Sequence, residues 1–341
     1  HDPEDSMNSR DRFRETMGYG TPDRASYFEE GIRKEVIRAW RKQGMPRGAD
    51  PERLFPSDPR VEIDLDLEPR PKPRRWPVSK VDLSDFRRRF DPDDPGRLPR
   101  RWPRCARDWE KSNPTVMLRV HRGLFLSMGV YGWERFAELM RLLIQKPDFV
   151  REAMDIVGEF SAALAEKVLR QTLVDAAVFS EPIGGNDRPL LSPRMYEEIV
   201  LASYQPLLAV LRKYGVKTII FRTYANARLL IPTILKGGFN CLWACDVNVE
   251  AMDYRSIRRE FGRDLRLIGG IDLDALRLGK EAIRREIQEK VPPLIADGGY
   301  VPLADGRVRE DIPYENYFYY RELLREVVKD PITESARSKS S

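Results

Sequence analysis

The sequence predicts an α/β protein: a (β/α)8 TIM-type barrel with an Arg/Pro-rich N-terminal excursion. Three observations carry that expectation. Eight short apolar or β-branched runs recur along the chain, longer segments of helical period separate most of them, and no Gly-rich dinucleotide fingerprint follows an early run to favour a doubly wound sheet. Strands alternating with helices pair in parallel through right-handed crossovers, and eight such units close on themselves. A length of 341 residues suits one large decorated barrel.

The expected strands are Ala25–Phe28, Val61–Leu65, Thr115–Val120, Asp175–Phe179, Lys217–Phe221, Cys241–Ala244, Leu265–Ile268 and Gly299–Leu303. After the third, Phe136, Leu139, Met140, Leu143 and Ile144 fall at the spacing of a helix with one buried side. A second helix opens after Pro147-Asp148 and carries Phe149, Ala153, Ile156, Val157, Phe160, Leu164 and Val168 on one side. Ser192 followed by Pro193 is an N-cap with proline at the first helical position, and the helix it opens stops at Gly215. Further helices are expected over Asn226–Lys236, closed by Gly237-Gly238, and over Tyr254–Phe261, Leu273–Lys290 and Tyr314–Lys329. Residues 1–6 read as a non-native leader, 7–330 as the barrel domain and 331–341 as a flexible tail.

Composition sets the outer limits. Hydrophobic residues at 41% and aromatics at 10% supply a core, which excludes global disorder. No apolar run approaches the roughly 20 residues of a membrane-spanning helix, so no membrane partner is expected. Three cysteines are too few for a disulfide framework, and a reducing cytoplasm is the expected location. Of two histidines, His1 lies in the leader and only His121 remains, which excludes a histidine-rich metal site. Chemistry must then rest on carboxylates, arginines, tyrosines or a borrowed cofactor.

The net charge of +5 is concentrated in 70–104, where twelve Lys/Arg face five Asp, seven prolines are spread through the segment, and Trp76 and Trp102 stand among the arginines. Proline at that density points to an extended, surface-hugging excursion. It reads either as a solvated loop pinned by its tryptophans or as a clamp for a carboxylate-rich ligand or acidic partner protein. Its acids are interleaved and no nucleic-acid motif is present, so nucleic acid is not an expected partner.

Several phrases, in order, resemble the uroporphyrinogen decarboxylase superfamily. They are Met7-Asn-Ser-Arg-Asp-Arg-Phe-Arg14 with Pro22-Asp-Arg24, then Arg188-Pro-Leu-Leu-Ser-Pro-Arg-Met-Tyr196, then Leu267-Ile-Gly-Gly-Ile-Asp272. Gly298-Gly-Tyr-Val-Pro302, leading to Ile312-Pro-Tyr-Glu-Asn316, completes the set. The resemblance spans Met7 to Lys329 and implies a barrel with its site at the C-terminal ends of the strands. It also implies two chemistries: decarboxylation without a cofactor, or methyl transfer between a corrinoid (cobalamin) and an acceptor, usually with zinc activating a thiol.

Against the decarboxylase pattern, Phe28-Glu-Glu-Gly-Ile-Arg33 puts Glu29 and Glu30 where cationic groups would meet substrate carboxylates, although Arg33 survives nearby. Ala304-Asp-Gly306 stands in place of a late Gly-His-Gly element. Against the zinc pattern, Arg222-Thr-Tyr224 replaces His-x-Cys and Val301-Pro-Leu-Ala304 lacks a cysteine, so the usual ligands are gone and no zinc is expected. Cys241 and Cys245 share a strand face but lack a histidine, which leaves Cys245 as the one weak metal possibility.

The strand ends select the candidate site: Glu29, Glu30, His121, Arg122, Glu181, Arg222, Tyr224, Cys245, Asp246, Asp272 and Asp305. The expected catalytic set is Glu181, Arg222, Tyr224, Asp246 and His121; Glu29, Arg33, Asp272 and Asp305 are the expected cofactor-binding set. Arg222 reads equally as an anchor for a carboxylate or phosphate and as a salt-bridge partner of Glu181 or Asp246. Tyr224 would donate to a developing anion or simply pack, and His121 would act as acid/base or as a hydrogen-bonded structural imidazole. Glu181 and Asp246 would move protons if burial raises one of them, and Asp272 would cap the following helix or line the site.

The expected function is a corrinoid-linked methyltransferase acting on a small-molecule acceptor such as a reduced pterin, without zinc. A corrinoid protein or other methyltransferase subunit is the expected partner, and a homo-oligomer is possible. A metal-free decarboxylase or lyase, and a non-catalytic barrel subunit, are the alternatives.

Overall fold

A computed structural model describes residues 6–100, 102–247 and 249–329. The leader apart from Ser6, and the tail 331–341, lie outside the described residues. The chain divides into two compact units, one formed by 61–241 and the other by 1–60 with 242–341.

In the 61–241 unit the strands are β1 (Arg60–Asp64, beginning one residue earlier), β2 (Thr115–His121), β3 (Ala176–Ser180) and β4 (Thr218–Tyr224), in chain order. β2 with β3 and β3 with β4 are parallel, with Met117 opposite Ala176 and Ser180 opposite Arg222. The helix Pro147–Leu169 opens on proline at its first turn and packs on β2 and on the helix Gln205–Lys213. Because side chains alternate, Leu118, Ala177, Phe179, Ile219 and Phe221 face these helices, while Arg119, Val178, Ser180, Ile220 and Arg222 share the opposite face.

The helix opened by Ser192, whose hydroxyl accepts from the Met195 amide at 3.2 Å, is not regular. A π-turn over Tyr196–Val200 and a 3-10 turn over Leu201–Tyr204 precede Gln205–Lys213. The wide turn absorbs an extra residue, so Tyr196 and Tyr204, eight apart, both point to one carboxyl.

The basic segment is a correction. Instead of one extended excursion, 70–104 folds into a 3-10 turn (Lys80–Asp82), a helix (Leu83–Arg88), a second turn (Pro95–Arg97) and the start of the helix Trp102–Ser112. Proline starts the second turn, where its missing N–H is not needed. Burial supplies the rest. Phe90 packs 5.2 Å from Phe160, and Arg97, fully buried, lies 4.8 Å over the same ring. The Arg97 guanidinium donates to the carbonyls of Asp66, Glu68, Arg89 and Asp91, which consumes it internally.

In the other unit the strands are β5 (Cys241–Cys245, beginning one residue earlier), β6 (Arg266–Gly269) and β7 (Tyr300–Val301), again in chain order, with β6 and β7 parallel. The helices Tyr254–Phe261 and Tyr314–Lys329 run as the sequence predicts. The expected helix Leu273–Lys290 is instead two, Leu273–Leu278 and Lys280–Asp297, divided at Gly279 with φ +113°. Trp40, Phe55, Tyr314 and Tyr317 form its aromatic core, with ring centroids 4.8 to 6.4 Å apart.

The expected first strand, Ala25–Phe28, is not a strand, so the described residues hold seven rather than eight. Its backbone is claimed by side chains: the Ser26 amide donates to the Thr16 hydroxyl at 3.3 Å, and the Tyr27 amide to the Asp58 carboxylate at 3.0 Å. Asp58 is itself buried between Arg12 and Arg24, at 2.8 and 2.7 Å. No helix is long and apolar enough to cross a membrane among the described residues.

Candidate functional site

The strands β2 to β4 end in polar side chains on both faces, and the pleat decides which face each takes. On the face opposite the helices, Met117, Ala176, Val178 and Ile220 are buried toward the strand starts, and Arg119, Ser180, Arg222 and Tyr224 follow toward the ends. Glu62 and Asp64 of β1 join them. Arg119 reaches Glu62 at 3.4 Å and Asp64 at 3.1 Å, and Arg222, with its side chain only 13% exposed, reaches Glu62 at 3.8 Å. Arg122 continues the series with Glu68 at 3.0 Å and donates to the Tyr131 hydroxyl at 3.0 Å. The salt-bridge partner of Arg222 is therefore Glu62, not the expected Glu181 or Asp246.

Tyr224 is fixed by close backbone approach. A Cβ on Gly184 would stand 1.8 Å from the Tyr224 carbonyl oxygen, so only glycine lets the loop after β3 lie against the end of β4. The Asn226 amide donates to the Gly185 carbonyl at 2.9 Å, and Asn226 Nδ2 donates to the Asp187 carbonyl at 2.9 Å. This clamp holds Tyr224 beside Arg222 on the ladder's face.

His121 and Glu181 are placed elsewhere. The register of β2 slips between Arg119 and His121, a bulge that turns His121 to the helix-covered face, opposite Phe179. Its ring lies 4.4 Å from that of Tyr204. His121 Nδ1 accepts from the Gly123 amide at 2.9 Å, and Nε2 has no hydrogen-bond partner among the described residues. Burial, with the nearby Arg122 charge, depresses its pKa to about 3, so it is neutral near pH 7.

Glu181 is wholly buried. It accepts from the Leu124 amide at 2.9 Å, from Tyr196 at 3.4 Å and from Tyr204. Burial pushes its pKa up to about 7 although all three donors pull the other way. A carboxyl with no cation beside it among the described residues, tied to two phenols and an amide, holds a helix to a strand end.

In the other unit Asp305 is the buried carboxyl. It accepts from the Leu273 amide at 3.1 Å and the Val247 amide at 3.2 Å, while its own backbone pairs with Asp246 and Ile271. Burial raises it to about 6, helped by the charges of Asp272 and Asp246. Asp246, at φ +44°, is held by Arg309 at 2.7 Å. Asp272 caps the helix Leu273–Leu278 by accepting from the Asp274 amide at 2.9 Å.

Glu29, raised by burial, accepts from Tyr320, and Cys245 Sγ lies 3.7 Å from a Glu30 oxygen. Arg33 is exposed at the start of the helix Lys34–Arg41. No group of three or more His, Cys, Asp or Glu stands where it could hold a metal ion among the described residues.

Sequence reasoning missed Glu62, Asp64, Glu68 and Arg119. The signal was present: Arg119 stands between the apolar Val116-Met-Leu118 and Val120, and Glu62 and Asp64 alternate with Val61 and Ile63.

The family model described as uroporphyrinogen decarboxylase (URO-D) matches residues 126–307. A solved methyltransferase from Methanosarcina mazei is similar in fold, with a TM-score of 0.61 and 14% identity, covering 94% of this chain and 99% of that one. No curated protein matches this sequence.

Proposed function

The chain belongs to the uroporphyrinogen decarboxylase family, and on that premise we propose that it is a methyl-transfer enzyme, working between a corrinoid and an acceptor such as a reduced pterin without a thiolate-bound zinc. The observation that supports this reading is the ladder Arg119–Glu62–Arg222, with Tyr224 beside it, at the ends of β1, β2 and β4. A corrinoid is fringed with amide side chains, and alternating guanidinium, carboxylate and hydroxyl groups offer the donors and acceptors that amides require. When bound, it would supply a cobalt that carries the methyl group. His121 does not suit a role as cobalt ligand, because its free nitrogen is buried on the helix-covered face.

The protein's own part is placement. Arg222 is a permanent cation, mostly shielded from water, and its ion pair with Glu62 helps to hold the planar guanidinium in place. It would orient an anionic or carbonyl group of the acceptor. The Tyr224 hydroxyl would donate to charge developing beside it. Mixing the protein with methylcobalamin and an acceptor, and following the cobalt absorbance, tests the reading. Transfer is expected, and an unchanged spectrum with every acceptor would overturn it.

A second reading rests on the count of cations. Arg119, Arg122 and Arg222 on one unit suit a substrate carrying carboxylates, which points to a metal-free decarboxylase or lyase. Release of carbon dioxide with a silent corrinoid spectrum would favour it. Silence in both assays, with copurification of an active enzyme, would favour a non-catalytic subunit of a corrinoid complex.

A further inference from the structure

The helix Trp133–Gln145 turns Leu139, Leu142 and Leu143 into its unit, yet its other side is also apolar. Trp133, Ala137, Met140 and Ile144 recur at steps of four, three and four residues. At about 100° per residue, all four lie within an arc of roughly 60°. Trp133 is 84% exposed and Ile144 74%, Ala137 is exposed, and Met140 is half-buried. Tyr131, 51% exposed, extends the strip past the start of the helix. Bulky apolar groups contiguous on a solvent face mark an interaction surface rather than chance exposure.

The charges beside the strip say what fits it. Glu134 and Arg141 are exposed on the same flank, two turns apart, and neither forms an ion pair with the described residues. When two copies of one helix pack antiparallel about a two-fold axis, like flanks meet and the ends exchange. Trp133 then covers Ile144 of the second copy, Ala137 leaves room for Met140, and Glu134 comes beside Arg141, each contact made twice. A strip holding both charge signs at opposite ends complements itself better than it complements an acidic partner.

We propose that the face of Trp133, Ala137, Met140 and Ile144 is the surface through which two copies of this chain associate, as an antiparallel helix pair. This pairing does not depend on the reaction catalysed. Sedimentation velocity and light scattering over two decades of protein concentration test it. A dimer that dissociates on dilution is expected, and Trp133→Glu should weaken it by at least about tenfold, the scale of losing a central aromatic contact.

Glu134→Arg alone and Arg141→Glu alone should also weaken it, by placing like charges together, and the double variant should restore it. A monomer at every concentration would overturn the proposal. So would a Trp133→Glu dimer as tight as the parent, or a double variant no tighter than the singles. Ile144→Glu repeats the apolar test should Trp133→Glu fail to fold, as judged by circular dichroism.

Discussion

Neighbouring strands end in two polar sets that differ in the face they occupy. On one face Arg119, Ser180, Arg222 and Tyr224 are partly open, and each guanidinium has a carboxylate within reach. On the other, His121 and Glu181 are sealed beneath Tyr196 and Tyr204, with no cation paired to the carboxyl among the described residues. Position along the strand is alike, and parity is not. A strand-end carboxylate therefore earns a functional role only if the pleat turns it away from the helices, and Glu181 fails that condition.

The contrast makes the largest expected effect one of stability. Glu181→Ala removes the carboxyl that accepts from two buried phenols and the Leu124 amide, a loss of about 3 kcal/mol in urea denaturation. A loss below about 1 kcal/mol would show that the carboxyl does not hold the helix.

The pH dependence sharpens the same point. Burial raises Glu181 from 4.5 to about 7, so the folded protein keeps a proton that the unfolded chain releases. The stability this contributes is complete below pH 4.5 and is lost as pH rises through about 7, by roughly 3 kcal/mol. His121 works in the opposite sense: with a folded value of about 3 against 6.5, it costs stability as pH falls between those values. Glu181→Gln should remove the first dependence and expose the second, so that the variant gains on the parent between pH 4.5 and 8. Parallel stability curves would contradict the assignment.

The open face predicts an effect on rate instead. Arg222→Ala should lower methyl transfer about tenfold, equivalent to about 1.4 kcal/mol of barrier, with little change in melting temperature. An unaltered rate would remove Arg222 from the site. The smallest expected effect lies in the other unit: Asp272→Ala removes the cap of the helix Leu273–Leu278 and should cost about 1 kcal/mol on thermal melting. A loss of activity without that change in stability would instead place Asp272 in the chemistry.

Much of the fold was legible because it depends on local pattern. The helix expected over Tyr254–Phe261 is found there, where the structure adds an Asp253 cap, and the β-branched run Thr115–Val120 announced β2. The loss of the first expected strand was not legible. It turns on Asp58, more than thirty positions away, taking the amide of Tyr27. Arg222 and Tyr224 were found as a strand-end pair, while their neighbour Glu62 comes from a strand whose register no local pattern reports.

Alternation and helical period are written in neighbouring residues, so the sequence alone determined the α/β class and the chain order of the elements. Which face a polar side chain takes is a different kind of fact. A bulge between Arg119 and His121 reverses every later side chain of β2, and a π-turn over Tyr196–Val200 brings two tyrosines onto one carboxyl. Each is a shift of a single residue, favourable only when the partner it meets is already in place, and only the tertiary structure decides that.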